Sequence, residues 1–244
     1  MNLVVDQGNT ALKLAIFENS ELIEKVIFLN DEYRYVSQWF SEHVTSPVNM
    51  IQSSVIKKEI DFSKLTVNHM VKFSEATKIP LLNKYKTPDS LGKDRLANAV
   101  ACWVLNKNQP SLVIDLGTCV KYDLVTAEGS YLGGAISPGL TMRYAALNQF
   151  TDKLPLLAPT TELIPIGNDT NSSIHAGVQL GIWNEINGFI QRYSEDYKGL
   201  TIFMTGGDTK YFDKGFKNTI FVNPNLTLIG LNEILQHNVQ KAKD

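Results

Sequence analysis

The stretch LVVDQGNT at residues 3–10 has a counterpart in LVIDLGT at residues 112–118. Each is an apolar run that ends in an aspartate, with a glycine two residues later and a threonine close behind, and each leads into a second apolar run. Such a turn gathers backbone amides, a hydroxyl and a carboxylate, which suit phosphate oxygens and an accompanying cation. The two aspartates are Asp6 and Asp115, and the repeat predicts a duplicated α/β fold with one phosphate-binding turn in each half.

The pattern around the first turn predicts a meander followed by helices and further strands. Short apolar runs separated by polar turns indicate antiparallel strands at 3–5, 12–17 and 22–29. Aromatic residues recurring every three to four positions predict a helix at 32–43. We also expect strands at 50–53 and 66–71, a short helix at 56–62 and a helix at 94–106.

The second half restarts this pattern. Predicted strands lie at 111–114, 120–125, 131–136 and 200–204, and predicted helices at 138–150, 172–197 and 225–239. The sequence therefore predicts two α/β domains with mixed sheets, at 1–110 and 111–244, and a nucleotide cleft between them.

Composition excludes several classes of partner. The 244 residues carry 23 positive and 25 negative side chains, so no bulk attraction for nucleic acid or a membrane surface is expected. No run approaches the roughly 18 apolar residues of a membrane helix. Two cysteines, Cys102 and Cys119, are too few for a disulfide framework and are expected to be buried thiols of a cytoplasmic protein.

A third glycine-containing turn follows the predicted strand 200–204. The sequence there is MTGGD at residues 204–208, and its glycines would let a nucleoside lie against the backbone. A lone turn of this kind is usually a simple strand-to-helix connection. Together the three turns resemble those of the actin, sugar-kinase and heat-shock chaperone ATPase superfamily, and this resemblance implies that both domains are ribonuclease H-like.

Four ordered motifs refine this assignment. They are DQGNT at residues 6–10 with Lys13, GKDR at 92–95, DLGT at 115–118, and GGAISPG at 133–139. Tyr85, Pro88 and Leu91 precede the second motif at regular spacing, and Gly167 and Thr170 follow the last. In this order they closely resemble the motifs of the type III pantothenate kinases, essentially from end to end.

The resemblance implies that the chain phosphorylates the terminal hydroxyl of pantothenate with ATP, the first step of coenzyme A biosynthesis. It implies a homodimer, Mg²⁺ with ATP, and a monovalent cation, K⁺ or NH₄⁺, on Asp115. Asp94 would be the catalytic base, and Asp6 is the best candidate for a contact to the divalent ion. The implied ATP-binding residues are Asp6, Gln7, Gly8, Asn9, Thr10, Ala11, Leu12, Lys13 and Thr118. The implied substrate-binding residues are Tyr85, Gly92, Lys93, Asp94, Arg95 and Thr170.

Each of these residues also has a purely structural interpretation. Asp94 at a helix start could be a cap, Lys13 a solvated strand residue, and Tyr85 loop packing. Arg95 favours catalysis, since a guanidinium beside the base suits the substrate carboxylate. The other three arginines fall on predicted helices and are expected at the surface: Arg34, Arg143 and Arg192.

The chain departs from the family pattern after its second turn, where Cys119, Val120 and Lys121 replace the usual small hydroxyl residues. The Lys121 ammonium could partly replace a bound potassium ion, although we expect K⁺ to stimulate the rate over Na⁺. Two other functions stay open: a non-catalytic ATP-binding regulatory protein on the same scaffold, and a different enzyme such as a sugar kinase or polyphosphatase.

Overall fold

The computed structural model describes residues 1–29, 32–56, 60–212, 216 and 218–241. The chain forms two compact units: unit 1 comprises Met1–Val104 with Leu226–Asp244, and unit 2 comprises Leu105–Asn225. This division differs from the predicted domains 1–110 and 111–244, because the last helix belongs with the first unit. Among the described residues, no helix is both long and apolar enough to span a membrane.

The secondary structure alternates strands and helices in both units. The strands are β1 (Asn2–Gln7), β2 (Ala11–Glu18), β3 (Glu21–Leu29), β4 (Val48–Ser54), β5 (Val67–Lys72), β6 (Leu82–Asn83), β7 (Ser111–Leu116), β8 (Cys119–Val125), β9 (Ser130–Pro138), β10 (Thr201–Thr205) and β11 (Ile220–Val222). The helices are α1 (Val36–His43), α2 (Lys93–Leu105), α3 (Leu140–Gln149), α4 (Thr170–His175), α5 (Gly181–Asp196) and α6 (Leu226–Lys241).

The sheet of unit 1 has the strand order β3-β2-β1-β4-β5. The first three strands form the predicted antiparallel meander, whereas β4 and β5 run parallel to β1. The strand β1 is central and buried almost throughout, as a run of consecutive apolar residues predicts. One side of the core joins this sheet to helix α1 through Trp39 and Phe40.

Unit 2 repeats this topology. Its strands β9-β8-β7-β10-β11 lie in the same order, with β7, β8 and β9 antiparallel and β10 and β11 parallel to β7. The central strand β7 is fully buried. The repeat of order and direction confirms the duplicated α/β fold with mixed sheets that the two Asp-x-Gly turns predict.

Helix α6 completes unit 1. Asn2 on β1 donates a hydrogen bond to the buried Asn232 side chain at 2.9 Å, and Asn232 in turn donates to the Asn19 carbonyl at 2.8 Å. Gly230 allows α6 to touch α2, since a Cβ there would lie 1.8 Å from the Ala97 carbonyl oxygen. Helix α6 therefore contacts the rest of unit 1 in two ways, through the Asn232 hydrogen bonds and through its close approach to α2. A larger residue at position 230 would prevent that close approach.

Some predicted elements differ in detail. The predicted helix at 172–197 is divided, because a π-helical segment, Ala176–Leu180, separates α4 from α5. The predicted helix at 56–62 includes residues 57–59, which lie outside the described residues, and residues 60–62 are not helical. The short strands β6 and β11 have no clear sequence signal.

Candidate functional site

The first turn joins β1 to β2 in unit 1. Asp6 and Lys13 face each other across the two strands, with 3.9 Å between the Lys13 Nζ and the Asp6 Oδ2. The Gly8 amide donates to the Ala11 carbonyl at 3.0 Å and closes the turn, which leaves Asn9 and Thr10 exposed. The open end of this hairpin therefore presents backbone amides, a hydroxyl and an ammonium group to a ligand.

Two of the predicted ATP-binding residues are buried. Gln7 is 1 % exposed and Leu12 is fully covered, so only their backbone groups are available to a nucleotide. Gln7 instead receives a hydrogen bond from the Ser54 hydroxyl at 2.9 Å, and the Ser54 carbonyl accepts one from the Lys93 ammonium at 3.1 Å. Ser54 thus links the first turn to the GKDR segment.

Sequence reasoning missed Ser54. It lies at the end of β4, directly opposite Gln7 on the parallel strand β1. The only sequence signal is its position just after an apolar strand, which is where parallel strands bring polar side chains to the same edge of a sheet.

The GKDR segment begins helix α2. Asp94 lies in the first helical turn, and its Oδ1 accepts a hydrogen bond from the Arg95 amide at 2.9 Å. This is a contact of the kind that a cap makes, so it is compatible with both interpretations of Asp94. A Cβ on Gly92 would lie 2.8 Å from the same carboxylate oxygen, which accounts for glycine at that position.

Arg95 is held firmly within unit 1. It is only 4 % exposed, and the centre of its guanidinium lies 5.5 Å from the centre of the Tyr85 ring. That geometry is a cation–π contact, in which the ring face attracts the positive charge. The structure therefore brings together Tyr85, Gly92, Asp94 and Arg95, four of the predicted substrate-binding residues.

The second turn joins β7 to β8 in unit 2. Asp115 and Lys121 face each other across these strands, and the Lys121 Nζ lies 2.7 Å from the Asp115 Oδ2. The Gly117 amide donates to the Cys119 carbonyl at 3.1 Å, and Thr118 stays exposed at the tip. As in the first turn, the glycine amide closes the hairpin, but the second turn is one residue shorter and its ion pair is much shorter. Neither Cys102 nor Cys119 is in a disulfide; Cys102 is buried, as expected, and Cys119 is only partly buried.

Two further glycines pack against the second turn. Gly206 has a φ of +99°, and a Cβ there would lie 2.2 Å from the Leu116 carbonyl oxygen and 2.7 Å from the Asp115 Oδ1. Gly139, just before α3, donates its amide to the Thr118 carbonyl at 3.1 Å, and a Cβ there would lie 2.3 Å from the Gly117 carbonyl oxygen. The predicted third turn is therefore built directly against the second.

Thr170 lies elsewhere in unit 2, in the first turn of α4. It lines an open cavity of about 670 Å³ together with Asp169, Ser173 and Gly177. Asp169 caps this helix by accepting the Ser172 amide at 2.9 Å, and that hydrogen bond lowers the pKa of its carboxyl group. The other predicted substrate-binding residues belong to unit 1.

The expectation that Arg143 is a surface residue is wrong. Its guanidinium pairs with Glu185 on α5 and donates to the Pro138 carbonyl at 2.8 Å, and only 21 % of the side chain is exposed. Glu185 also accepts hydrogen bonds from Tyr122 at 2.9 Å and from Ser137 at 2.5 Å. Burial works against ionisation of Glu185, but these three donors outweigh it and lower its pKa. Arg192 is exposed, as expected, and pairs with Glu195 and Asp196.

The side chains around these turns suit a divalent ion that is held mainly by nucleotide phosphates better than one that is held by protein ligands alone. Among the described residues, no three histidine, cysteine, aspartate or glutamate side chains come together as a metal site. Mg²⁺ is commonly held through phosphates and waters with one or two carboxylates, and Asp6 beside the first turn can supply one.

Two units whose five principal strands follow the same order, each with an aspartate and a glycine turn at the end of its central strand, define a protein of the duplicated α/β class. A sequence model of the type III pantothenate kinases matches residues 2–192. The chain is 40% identical over 240 residues to a type III pantothenate kinase from Christiangramia forsetii, covering 98% of this chain and 99% of the relative. A second, from Phocaeicola vulgatus, is 41% identical over 244 residues with the same coverages. The chain belongs to the type III pantothenate kinase family.

A solved structure agrees in fold at much lower sequence identity. A Campylobacter jejuni protein, described as a Baf family transcriptional activator, aligns with a TM-score of 0.63 and 18% identity. The alignment covers 98% of this chain and 99% of that chain. It supports the duplicated fold alone.

Proposed function

We propose that this chain transfers the γ-phosphoryl group of ATP to the terminal hydroxyl of pantothenate, the first step of coenzyme A biosynthesis. The observation that carries the proposal is the start of helix α2, where Asp94 adjoins an Arg95 side chain that contacts Tyr85. A protein that only binds ATP needs neither a base nor a cation for an acceptor carboxylate. Membership of the type III pantothenate kinase family specifies the acceptor.

In this proposal the first turn binds the ATP phosphates. Asn9 and Thr10 are exposed at its open end, where the Thr10 hydroxyl and the backbone amides of the turn would contact the phosphates together with Gly8, and Lys13 adds positive charge beside them. Asp6, Gln7, Ala11 and Leu12 shape the hairpin that holds these groups. In unit 2, Thr118 supplies a further hydroxyl at the tip of the corresponding turn.

The chemistry needs a positioned acceptor more than it needs covalent help from the protein. The pantothenate hydroxyl oxygen forms a bond to the γ-phosphorus while the bond to the β,γ-bridging oxygen breaks, releasing ADP. Asp94 takes the hydroxyl proton. Arg95 supplies charge for the substrate carboxylate, Tyr85 holds its guanidinium in place, and Gly92 and Lys93 contribute to the substrate pocket. Thr170, in unit 2, stays a predicted substrate contact. Mg²⁺ bound with ATP offsets phosphate charge.

The chain would act as a homodimer in the cytoplasm. Unit 2 carries exposed apolar side chains on β9 and after α3, with Ile136 58% exposed and Phe150 80% exposed, and a second copy of this chain would cover them. Sedimentation velocity tests this assignment. We expect a dimer mass for the native chain and a monomer for Ile136→Glu, whereas Ile27→Glu on β3, where the residue is 50% exposed, stays dimeric. A native monomer would contradict the assignment.

The deciding experiment measures ADP release by the purified chain with ATP and Mg²⁺, comparing pantothenate with a set of sugars and with no acceptor. We expect turnover only with pantothenate, with phosphopantothenate identified by mass spectrometry. Turnover that is independent of pantothenate would exclude the proposed reaction. Nucleotide binding without turnover on any acceptor would favour a regulatory protein on this scaffold.

A further inference from the structure

The short ion pair between Lys121 and Asp115 in unit 2 decides whether Asp115 can also hold the monovalent cation that the family resemblance implies there. The Lys121 ammonium lies 2.7 Å from one carboxylate oxygen, and the two side chains are only 16% and 11% exposed. A potassium ion on the same carboxylate would lie within a few ångströms of this fixed positive charge, where like charges repel strongly in a partly buried site. The residues present therefore do not fit a separate monovalent cation, and this reverses the expectation from the sequence that K⁺ stimulates the rate.

The internal duplication supplies an independent argument. Asp6 and Lys13 occupy the same register positions on β1 and β2 that Asp115 and Lys121 occupy on β7 and β8. In both units the aspartate is the next-to-last residue of the central strand, and the lysine faces it from the next strand beyond a glycine turn. Lys121 is thus the counterpart of Lys13, the lysine proposed to face the ATP phosphates.

The surroundings of Asp115 fix this pair in place. The Gly206 turn packs so closely that a Cβ there would lie 2.7 Å from the Asp115 Oδ1, while the other carboxylate oxygen contacts Lys121. The Asp115 carboxylate therefore has a close neighbour on each side, the Gly206 backbone on one and the Lys121 ammonium on the other.

We propose that the Lys121 ammonium is a built-in monovalent cation of the second phosphate turn, so that this chain binds and uses ATP without potassium or ammonium ions. The inference rests on the proposed function for its connection to catalysis, but not for its connection to nucleotide binding. A charge carried on the chain does the work of a dissociable ion without having to be captured from solution.

The first test compares salts on the native chain. Calorimetry measures the Kd of a non-hydrolysable ATP analogue with Mg²⁺, in potassium chloride and in tetramethylammonium chloride at equal ionic strength. We expect the two values to agree within about 2-fold, and pantothenate-dependent turnover to agree equally well. Binding or turnover more than about 5-fold better in potassium would overturn the proposal.

The second test removes the built-in charge. Lys121→Thr frees the carboxylate and leaves room for an ion, so we expect roughly 10-fold weaker analogue binding in tetramethylammonium and recovery in potassium. Lys121→Met removes the charge but fills the space, and should recover less. Lys13→Met is the matched control in unit 1, and its loss should be the same in both salts. Equal losses for Lys121→Thr in both salts would contradict the inference.

These measurements separate the two proposals. Analogue binding needs no pantothenate, so it tests Lys121 even if the chain phosphorylates a different acceptor. If Lys121→Thr does not fold, as judged by circular dichroism and thermal melting, the salt comparison on the native chain still decides the matter.

Discussion

The hairpins formed by β1 with β2 and by β7 with β8 share their register and have glycine turns. Their aspartate–lysine ion pairs, however, differ in length and in exposure. Lys13 lies 3.9 Å from Asp6 with 39% of its side chain exposed, whereas Lys121 lies 2.7 Å from Asp115 and is 16% exposed. Exposed, longer pairs contribute little and leave the ammonium free to turn toward another anion. A short pair in a partly buried site is fixed more firmly.

This difference shows how the two copies of a duplicated turn can take different roles. In our interpretation the first hairpin keeps a mobile cation for the reacting end of ATP, and the second carries a fixed one. Unit 1 also carries Asp94 and Arg95, so bond formation is assigned to it. The following predictions test that division in order of decreasing effect, except that Gly8→Ala is given directly after the change with which it is matched.

The largest effect is expected for Asp94→Asn, which keeps the size of the side chain but removes its basicity. If unit 1 carries the base, kcat should fall by a factor of about 10²–10⁴, the range typical of a lost general base, with little change in nucleotide affinity. Steady-state kinetics and analogue binding measure the two quantities. Full activity would show that Asp94 only stabilises the start of α2.

Gly206→Ala should be the most damaging change to stability among the turn glycines. The new methyl group would meet the Leu116 carbonyl at 2.2 Å in a residue with a φ of +99°. Backbone strain and overpacking together should cost roughly 2–4 kcal/mol. Urea denaturation measures the loss.

Gly8→Ala is the matched change in the first turn. Its nearest contact would be 3.4 Å, from the Ala11 carbonyl, and no positive φ is involved, so we expect a cost under about 1 kcal/mol. Equal losses of stability for Gly206→Ala and Gly8→Ala would mean that the glycines of the two turns are not packed differently.

Lys13→Met should raise the KM for ATP by about 10–100-fold, the effect of losing a charge-assisted hydrogen bond to phosphate. Lys25→Met on the exposed strand β3 is the control and should leave the KM unchanged. An unchanged KM for Lys13→Met would make Lys13 a solvated strand residue and would leave only the second hairpin with a functional lysine.

The smallest effect concerns Glu185 in unit 2. Because the donors around it lower its pKa in the folded state, its ionised form stabilises the fold above the unfolded pKa, and this contribution disappears as the pH falls through the folded pKa. Glu185→Gln should therefore cost about 1 kcal/mol at pH 7 and much less near pH 3.5. Melting curves of both proteins at the two pH values measure the difference. A constant difference would mean that charge is not involved.

The sequence predicts the fold well because the fold depends on local patterns. Apolar runs ending in Asp-x-Gly identify both central strands, and the order of runs gives the meander in each unit. The assignment of α6 could not be predicted, since its place depends on side chains such as Asn232 that meet β1 across most of the chain length. The π-helical segment between α4 and α5 likewise has no local signal.

The candidate site was predictable where motifs are contiguous and not where contacts are distant. Tyr85 and the GKDR segment are close in sequence, and they meet in the structure. The Ser54 link and the Arg143–Glu185 pair join residues 39 and 42 positions apart, which no spacing rule connects. Lys121 was visible as a departure, but its short contact with Asp115 follows from strand register alone.

The return of α6 to unit 1 also makes that unit discontinuous in sequence. Residues 105–225 form a continuous segment whose strands can pair as soon as they are synthesised, whereas unit 1 waits for the last helix to cover β1 and α2. While the residues after 225 are still being synthesised, the second unit can therefore be complete before the first. Ribosome-bound intermediates that stop before residue 226 should resist protease in unit 2 and stay sensitive in unit 1.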